Sequence, residues 1–151
     1  MTKLSTQKIV PCLWFDNNAE EAIKFYTSVF KQSKVIQLHP VISTFELEGQ
    51  RIMALNGGPA FRFTEAVSLF VTCDTQEEVD YYWKKLLSGG GKEDRCGWLK
   101  DKFGLSWQIV PSILGKFMSD PDKRKTERVM QAVLKMIKLD IHTLKQAYDS
   151  Q

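Results

Sequence analysis

The chain has 151 residues, 43% of them apolar and 26% charged, which suits one soluble globular unit able to bury roughly 70% of its unfolded surface. A formal charge of +3 is too small to imply nucleic-acid binding, and no apolar run approaches the roughly 20 residues of a membrane span. Three scattered cysteines, Cys12, Cys73 and Cys96, with no CxxC pair and a polar MTKLSTQK start lacking a signal-peptide core, predict reduced thiols and a cytoplasmic setting.

Read in chain order, Lys8 to Phe15 is a strand, with Pro11 marking a position near an edge. Ala19 to Phe30 carries Ala22, Ile23, Tyr26, Val29 and Phe30 near helical spacing, and Asn18 with Glu21 three places on is the Asn analogue of a capping box. Val35 to Leu38, Val41 to Leu47 and Arg51 to Leu55 read as strands, the last two joined in a hairpin at Glu48-Gly49-Gln50. Asn56-Gly57-Gly58-Pro59 then interrupts regular structure.

The second half of the chain repeats the pattern. Val67 to Cys73 is a strand, and Thr75 to Ser88 is a helix opened by a Thr75–Glu78 capping box and stopped by Gly89-Gly90-Gly91. After a short weak strand, Cys96 to Asp101 and Leu105 to Val110 form a hairpin turned at Lys102-Phe103-Gly104. Glu20-Glu21 overlays Glu77-Glu78 fifty-seven positions later, and Phe25-Tyr26 overlays Tyr82-Trp83. A duplicated β-α-β-β-β unit predicts internal pseudo-symmetry, with any ligand site shared between copies. Beyond Pro111, Asp120-Pro121 predicts a helix start and Asp140 a second. Val129, Met130, Val133, Leu134, Met136 and Ile137 form the expected apolar stripe, packed on the body or on a partner.

PCLWFDNNAEEAIKFYTSVF, FELEGQRIMALNGGP and CGWLKDKFGLSWQIVP with RVMQAVLKM downstream resemble the PhnB-like branch of the glyoxalase/vicinal-oxygen-chelate superfamily, a branch often labelled 3-demethylubiquinone-9 3-methyltransferase. The resemblance spans nearly the whole chain. It implies an α+β fold of two βαβββ modules (about 7–58 and 65–111) forming a curved mixed sheet around a cleft, C-terminal helices over about 112–150, and a homodimer. The stretch from Ser33 to Val41 is shorter than the glycine-rich loop associated with the family, which would reshape one cleft wall.

Metal-using members of the superfamily place four His or Glu ligands on the first and last strands of each module. Alignment on the caps and turn glycines puts those slots at Pro11, Met53, Ser68 and Gln108, or at Cys12 if the first slides by one. A divalent cation needs several imidazole or carboxylate donors, so the expectation is a vestigial metal site and no cofactor. If Pro11 and Gln108 face inward, Leu13, Phe15 and Ser106 share that side, and Trp14 and Trp107 point to the helices. A bulge at Pro11 reverses the first-strand assignment. Phe70 joins the cleft candidates, although parity alone leaves open which aromatics face the cavity.

His39 and His142 stand outside any cluster and read as structural. Cys12 reads as a small buried residue rather than a nucleophile, and the glutamate pairs as first-turn acids favoured by the helix dipole. No glycine-rich strand-to-helix turn suggests an S-adenosylmethionine site, so the methyltransferase label finds no support in the residues. The function expected is metal-free binding of a small, partly apolar organic ligand. The alternatives are a metal-dependent lyase, isomerase or dioxygenase of the superfamily, and a structural or regulatory homodimer.

Overall fold

A computed structural model describes residues 7–151, so the polar start of the chain lies outside the described residues apart from its last positions. The chain divides between Arg62 and Phe63 into two compact units.

The first unit contains β1 (Cys12–Phe15), α1 (Ala19–Val29), β2 (Ser33–Gln37), β3 (Ile42–Leu47) and β4 (Gln50–Asn56). They form a four-stranded sheet in the order β1-β4-β3-β2, with β1 parallel to β4 and the other pairs antiparallel. A two-residue turn at Glu48-Gly49, with φ of 47° and 83°, sets the β3–β4 register; positive φ at both positions matches the right-handed twist of the strands it joins. Helix α1 lays Ala22, Ile23, Tyr26 and Val29 on one face of this sheet, where Tyr26 stacks on Phe45 at 6.2 Å. Leu13, Phe15, Phe45, Leu47, Ile52 and Ala54 complete that core, each larger side chain contributing about 1.5–3 kcal/mol by leaving water.

The start of α1 differs from expectation. Asn18 is the cap residue, but its side chain makes no capping bond. The Ala19 amide instead donates to Asn56 Oδ1 at 2.9 Å, and Asn56 Nδ2 donates to the Pro40 carbonyl, so the end of β4 supplies the cap. At the other end, the Ser33 hydroxyl reaches the carbonyls of Thr27 and Phe30 at 2.9 and 2.7 Å.

The second unit repeats this order with β5 (Ser68–Cys73), α2 (Gln76–Leu87), β6 (Lys92–Glu93), β7 (Trp98–Lys100) and β8 (Ser106–Pro111), in the sheet order β5-β8-β7-β6 with β5 parallel to β8. Thr75 caps α2 as expected, its hydroxyl accepting from the Glu78 amide, while Glu78 Oε2 accepts from the amide of Asp74. Val79, Trp83 and Leu86 pack with Leu99, Trp107, Ile109 and Cys73. The strand expected from Cys96 begins only at Trp98, because Cys96 and Gly97 adopt φ of 59° and 82° and their amides donate to the carbonyls of Met136 and Ile137.

Three further helices complete the chain: α3 (Ser112–Met118), α4 (Lys123–Leu134) and α5 (Ile141–Asp149). The first has no clear signature in the sequence, since Gly115 and the single buried residue Phe117 leave little periodic pattern. The cap of α4 is Asp122, whose carboxylate accepts from the Arg124 amide, and Asp120 Oδ1 holds the Asp122 amide one step earlier. Asp140 caps α5 as expected. Val129 and Val133 join Val110, Phe117, Leu139 and Leu144 in a core, whereas Met130, Leu134 and Ile137 are exposed; the expected stripe divides because α4 ends at Leu134. The layer is tied to its own unit: Gln76 bonds Leu139 O and the Ile141 amide, and Lys138 pairs with Asp80 at 2.7 Å. No described helix is long and apolar enough to cross a membrane.

Candidate functional site

Each sheet has one face under its helix and one open face, and strand alternation decides which side chains lie where. In the first unit, β1 and β4 pair Cys12 with Met53, Leu13 with Ala54, and Trp14 with Leu55. Ala54 and Ile52 belong to the α1 core, so Leu13 and Phe15 lie under the helix, 6% and 2% exposed. The open face carries Cys12, Trp14 and Met53. This corrects the expected set: Leu13 and Phe15 leave it, and Trp14 joins it. Pro11, exposed and outside the strand, falls on the Leu13 side of the alternation, its carbonyl accepting from the Met53 amide at 2.9 Å.

The cause is one residue. Asp16, Asn17 and Asn18 connect β1 to α1, whereas only Asp74 and Thr75 connect β5 to α2. The additional residue is accommodated at Asn17, in the left-handed region at φ 59°, which asparagine tolerates better than most residues. Aligning the halves on their caps therefore misplaces the first strand by one. The registers agree: Cys12 pairs with Met53 as Phe70 pairs with Gln108, so Cys12, not Pro11, occupies the slot equivalent to Phe70.

In the second unit the expected assignments hold together better. Trp107 is buried against α2, and Ser68, Phe70, Ser106 and Gln108 share the open face. Gln108 Nε2 donates to Ser68 Oγ at 2.9 Å. The β7 register adds Trp98 opposite Gln108 and Lys100 opposite Ser106, two residues that strand parity in β5 and β8 does not bring in. Counting outward from the Lys102-Phe103-Gly104 turn finds both. Lys100 forms an ion pair with Glu65, which holds that carboxyl below its ordinary value.

Trp14 is braced rather than free. Its ring meets Phe61 edge-on at 4.9 Å, its Nε1 donates to the Gly58 carbonyl at 2.9 Å, and a Cβ on Gly57 would stand 2.2 Å from it. Only glycine fits there.

The chemistry of these faces is not that of a cation site. No group of three or more His, Cys, Asp or Glu side chains that could hold a metal occurs among the described residues. The candidate slots offer a thiol, a thioether, a hydroxyl and an amide, which do not fit a divalent ion. Burial pushes the Cys12 thiol above its ordinary pKa, the reverse of what a nucleophile needs, and burial with the nearby charges of Glu78 and Asp74 takes Cys73 to about 12. His39 Nδ1 accepts from the Val41 amide at 3.1 Å, a local loop bond. An open groove of about 830 Å³ between α4 and α5 is lined by Arg128 among others, but that guanidinium is engaged by the carbonyls of Ala147 and Tyr148 at the end of α5.

Comparison with known proteins gives a consistent placement. Residues 7–110 match the family model described as 3-demethylubiquinone-9 3-methyltransferase. The chain is similar to a putative 3-demethylubiquinone-9 3-methyltransferase, PhnB protein, from Bacillus cereus, with 37% identity and a TM-score of 0.64, over 70% of this chain and all of that one. Two further solved structures share the fold. A glyoxalase-related enzyme from Fulvimarina pelagi is 15% identical with a TM-score of 0.52, over 71% of this chain and 90% of that one. A fosfomycin resistance protein from Listeria monocytogenes, complexed with Mn(II) and sulfate, is 14% identical with a TM-score of 0.53, over 69% and 88%. A search of curated proteins finds no match. The two four-stranded mixed sheets with their helices are thus the glyoxalase/bleomycin resistance fold, and the chain belongs to the PhnB-like 3-demethylubiquinone-9 3-methyltransferase family.

Proposed function

We propose that this protein binds a small, partly apolar organic molecule on its open sheet faces without a metal ion, the second unit supplying the polar contacts. The observation that carries this reading is the Gln108–Ser68 pair, 2.9 Å apart, set on an outward face beside Phe70, which is 58% exposed, and Trp98. Apolar surface with a few directed polar groups is what small-molecule sites use. The strand-to-helix connections Asp16-Asn17-Asn18 and Asp74-Thr75 contain no glycine and offer no phosphate-cradling turn, so they favour binding over cofactor-dependent methyl transfer.

The test uses 1-anilinonaphthalene-8-sulfonate as probe. Gln108→Leu should weaken its binding about tenfold, near 1.4 kcal/mol, while leaving the unfolding midpoint within about 0.5 kcal/mol of wild type. EDTA-dialysed protein should bind as untreated protein does. Loss of folding in Gln108→Leu would make the amide structural, and loss of binding after EDTA would restore the metal-dependent alternative.

A further inference from the structure

One polar group on the second open face lacks a partner. Ser106 is 1% exposed, and its Oγ makes no hydrogen bond. A buried hydroxyl left this way is unfavourable, and folded proteins keep few of them. The alternation of β8 puts Ser106 on the same face as Gln108, and the register places Ser68 on one side of it and Lys100 on the other.

The hydrogen-bonding inventory around Ser106 is rich in donors. Gln108 Nε2 gives one proton to Ser68 Oγ and keeps a second. The Ser68 hydroxyl, accepting from that amide, retains its own proton to donate. The Lys100 ammonium has three protons, and the ion pair with Glu65 at the rim engages it from one side. Phe70 and Trp98 flank Gln108 in register, giving the polar notch an apolar margin on both sides.

We propose that this notch receives an acceptor oxygen, carboxylate or carbonyl, of a ligand whose flat apolar body lies along Phe70 and Trp98, with the Ser106 hydroxyl donating to that oxygen. The inference rests on the binding function proposed above and adds the head-group chemistry. Its signature separates a binding hydroxyl from a structural one. Removing Ser106 Oγ relieves an unpaired polar atom in the empty protein while deleting a contact in the bound one.

The experiment measures wild type and Ser106→Ala by thermal melting and by titration with 2-naphthoate, 2-naphthamide and 2-naphthylmethylammonium, which share a ring system and differ in head group. Wild type should bind the two acceptor-bearing probes at least about tenfold more tightly than the ammonium. Ser106→Ala should melt about 2–4 °C higher without ligand and lose at least about fivefold in affinity for both acceptors. Equal binding of all three probes by wild type would overturn the head-group inference and leave the binding function standing. Unchanged acceptor affinity in Ser106→Ala, or a lowered melting temperature, would overturn the role given to Ser106. Failure of wild type to bind any of the three probes or 1-anilinonaphthalene-8-sulfonate would overturn the binding function itself.

Discussion

Asp101 shows how one buried carboxylate can organise a hairpin. It is 3% exposed, and Oδ1 accepts from the amides of Phe103 and Leu105 at 2.8 and 3.1 Å while Oδ2 accepts from Trp107 Nε1 at 2.9 Å. These bonds set the β7–β8 turn and therefore bring Trp98 and Lys100 level with Gln108 and Ser106. Asp101→Asn replaces one acceptor with a donor and cannot satisfy both sides. It should destabilise the protein by about 2–3 kcal/mol, readable as a lower urea midpoint with an unchanged slope. A cost below about 0.5 kcal/mol would show that the turn is set by Gly104 and the strands alone.

At the level of elements, most helices and strands are legible in the sequence because their apolar periodicity and turn glycines agree. Strand parity does not reveal the phase of β1. That phase depends on the backbone at Asn17, a feature no hydrophobic pattern reports, and it moves Pro11, Leu13, Phe15 and Trp14 together. The second half is legible at Ser68, Phe70, Gln108 and Trp107 because its connection contains no such residue. Asn17→Gly should therefore be nearly neutral, whereas a β-branched Asn17→Val at φ 59° should cost about 1–2 kcal/mol. Equal unfolding midpoints for the two variants would remove the strain argument.

The C-terminal helices carry a pH dependence. Asp80 is held below its ordinary value chiefly by its bond from Lys138, Asp120 by its bond from Tyr148, and Asp140 by its bonds from Thr143. A carboxyl whose folded pKa is depressed contributes stability that is fully present above the unfolded value and lost as pH falls through the folded one. The melting temperature should thus be flat from about pH 7 to 5 and decline below about pH 4. Asp140→Asn should reduce that decline; an identical acid limb in the variant would assign it elsewhere.

At the level of the whole molecule, the proposed homodimer draws on the edge of the first sheet. β2 and the loop after it expose Val35, Ile36, Leu38, Val41 and Ile42, from 39% to 53%. A register shift between Val35 and Gln37 leaves Ile36 as the bulged residue, which interrupts the ladder a second strand would need. Contact through side chains is favoured over strand addition. Sedimentation equilibrium should give twice the 17.4 kDa chain mass for wild type and a single mass for Ile36→Lys. A wild type of single mass would rule out the proposed assembly.

The register slip at Asn17 also bears on any attempt to rebuild catalysis in this scaffold. Histidines transplanted by matching the helix caps would go to Pro11 and Ser68 and would miss their intended neighbours in the first half. Adjacent imidazoles in each sheet require Cys12 with Met53 and Phe70 with Gln108, the pairs that the ladders place side by side. A designer who copied one half's numbering onto the other would be engineering the wrong surface of the protein.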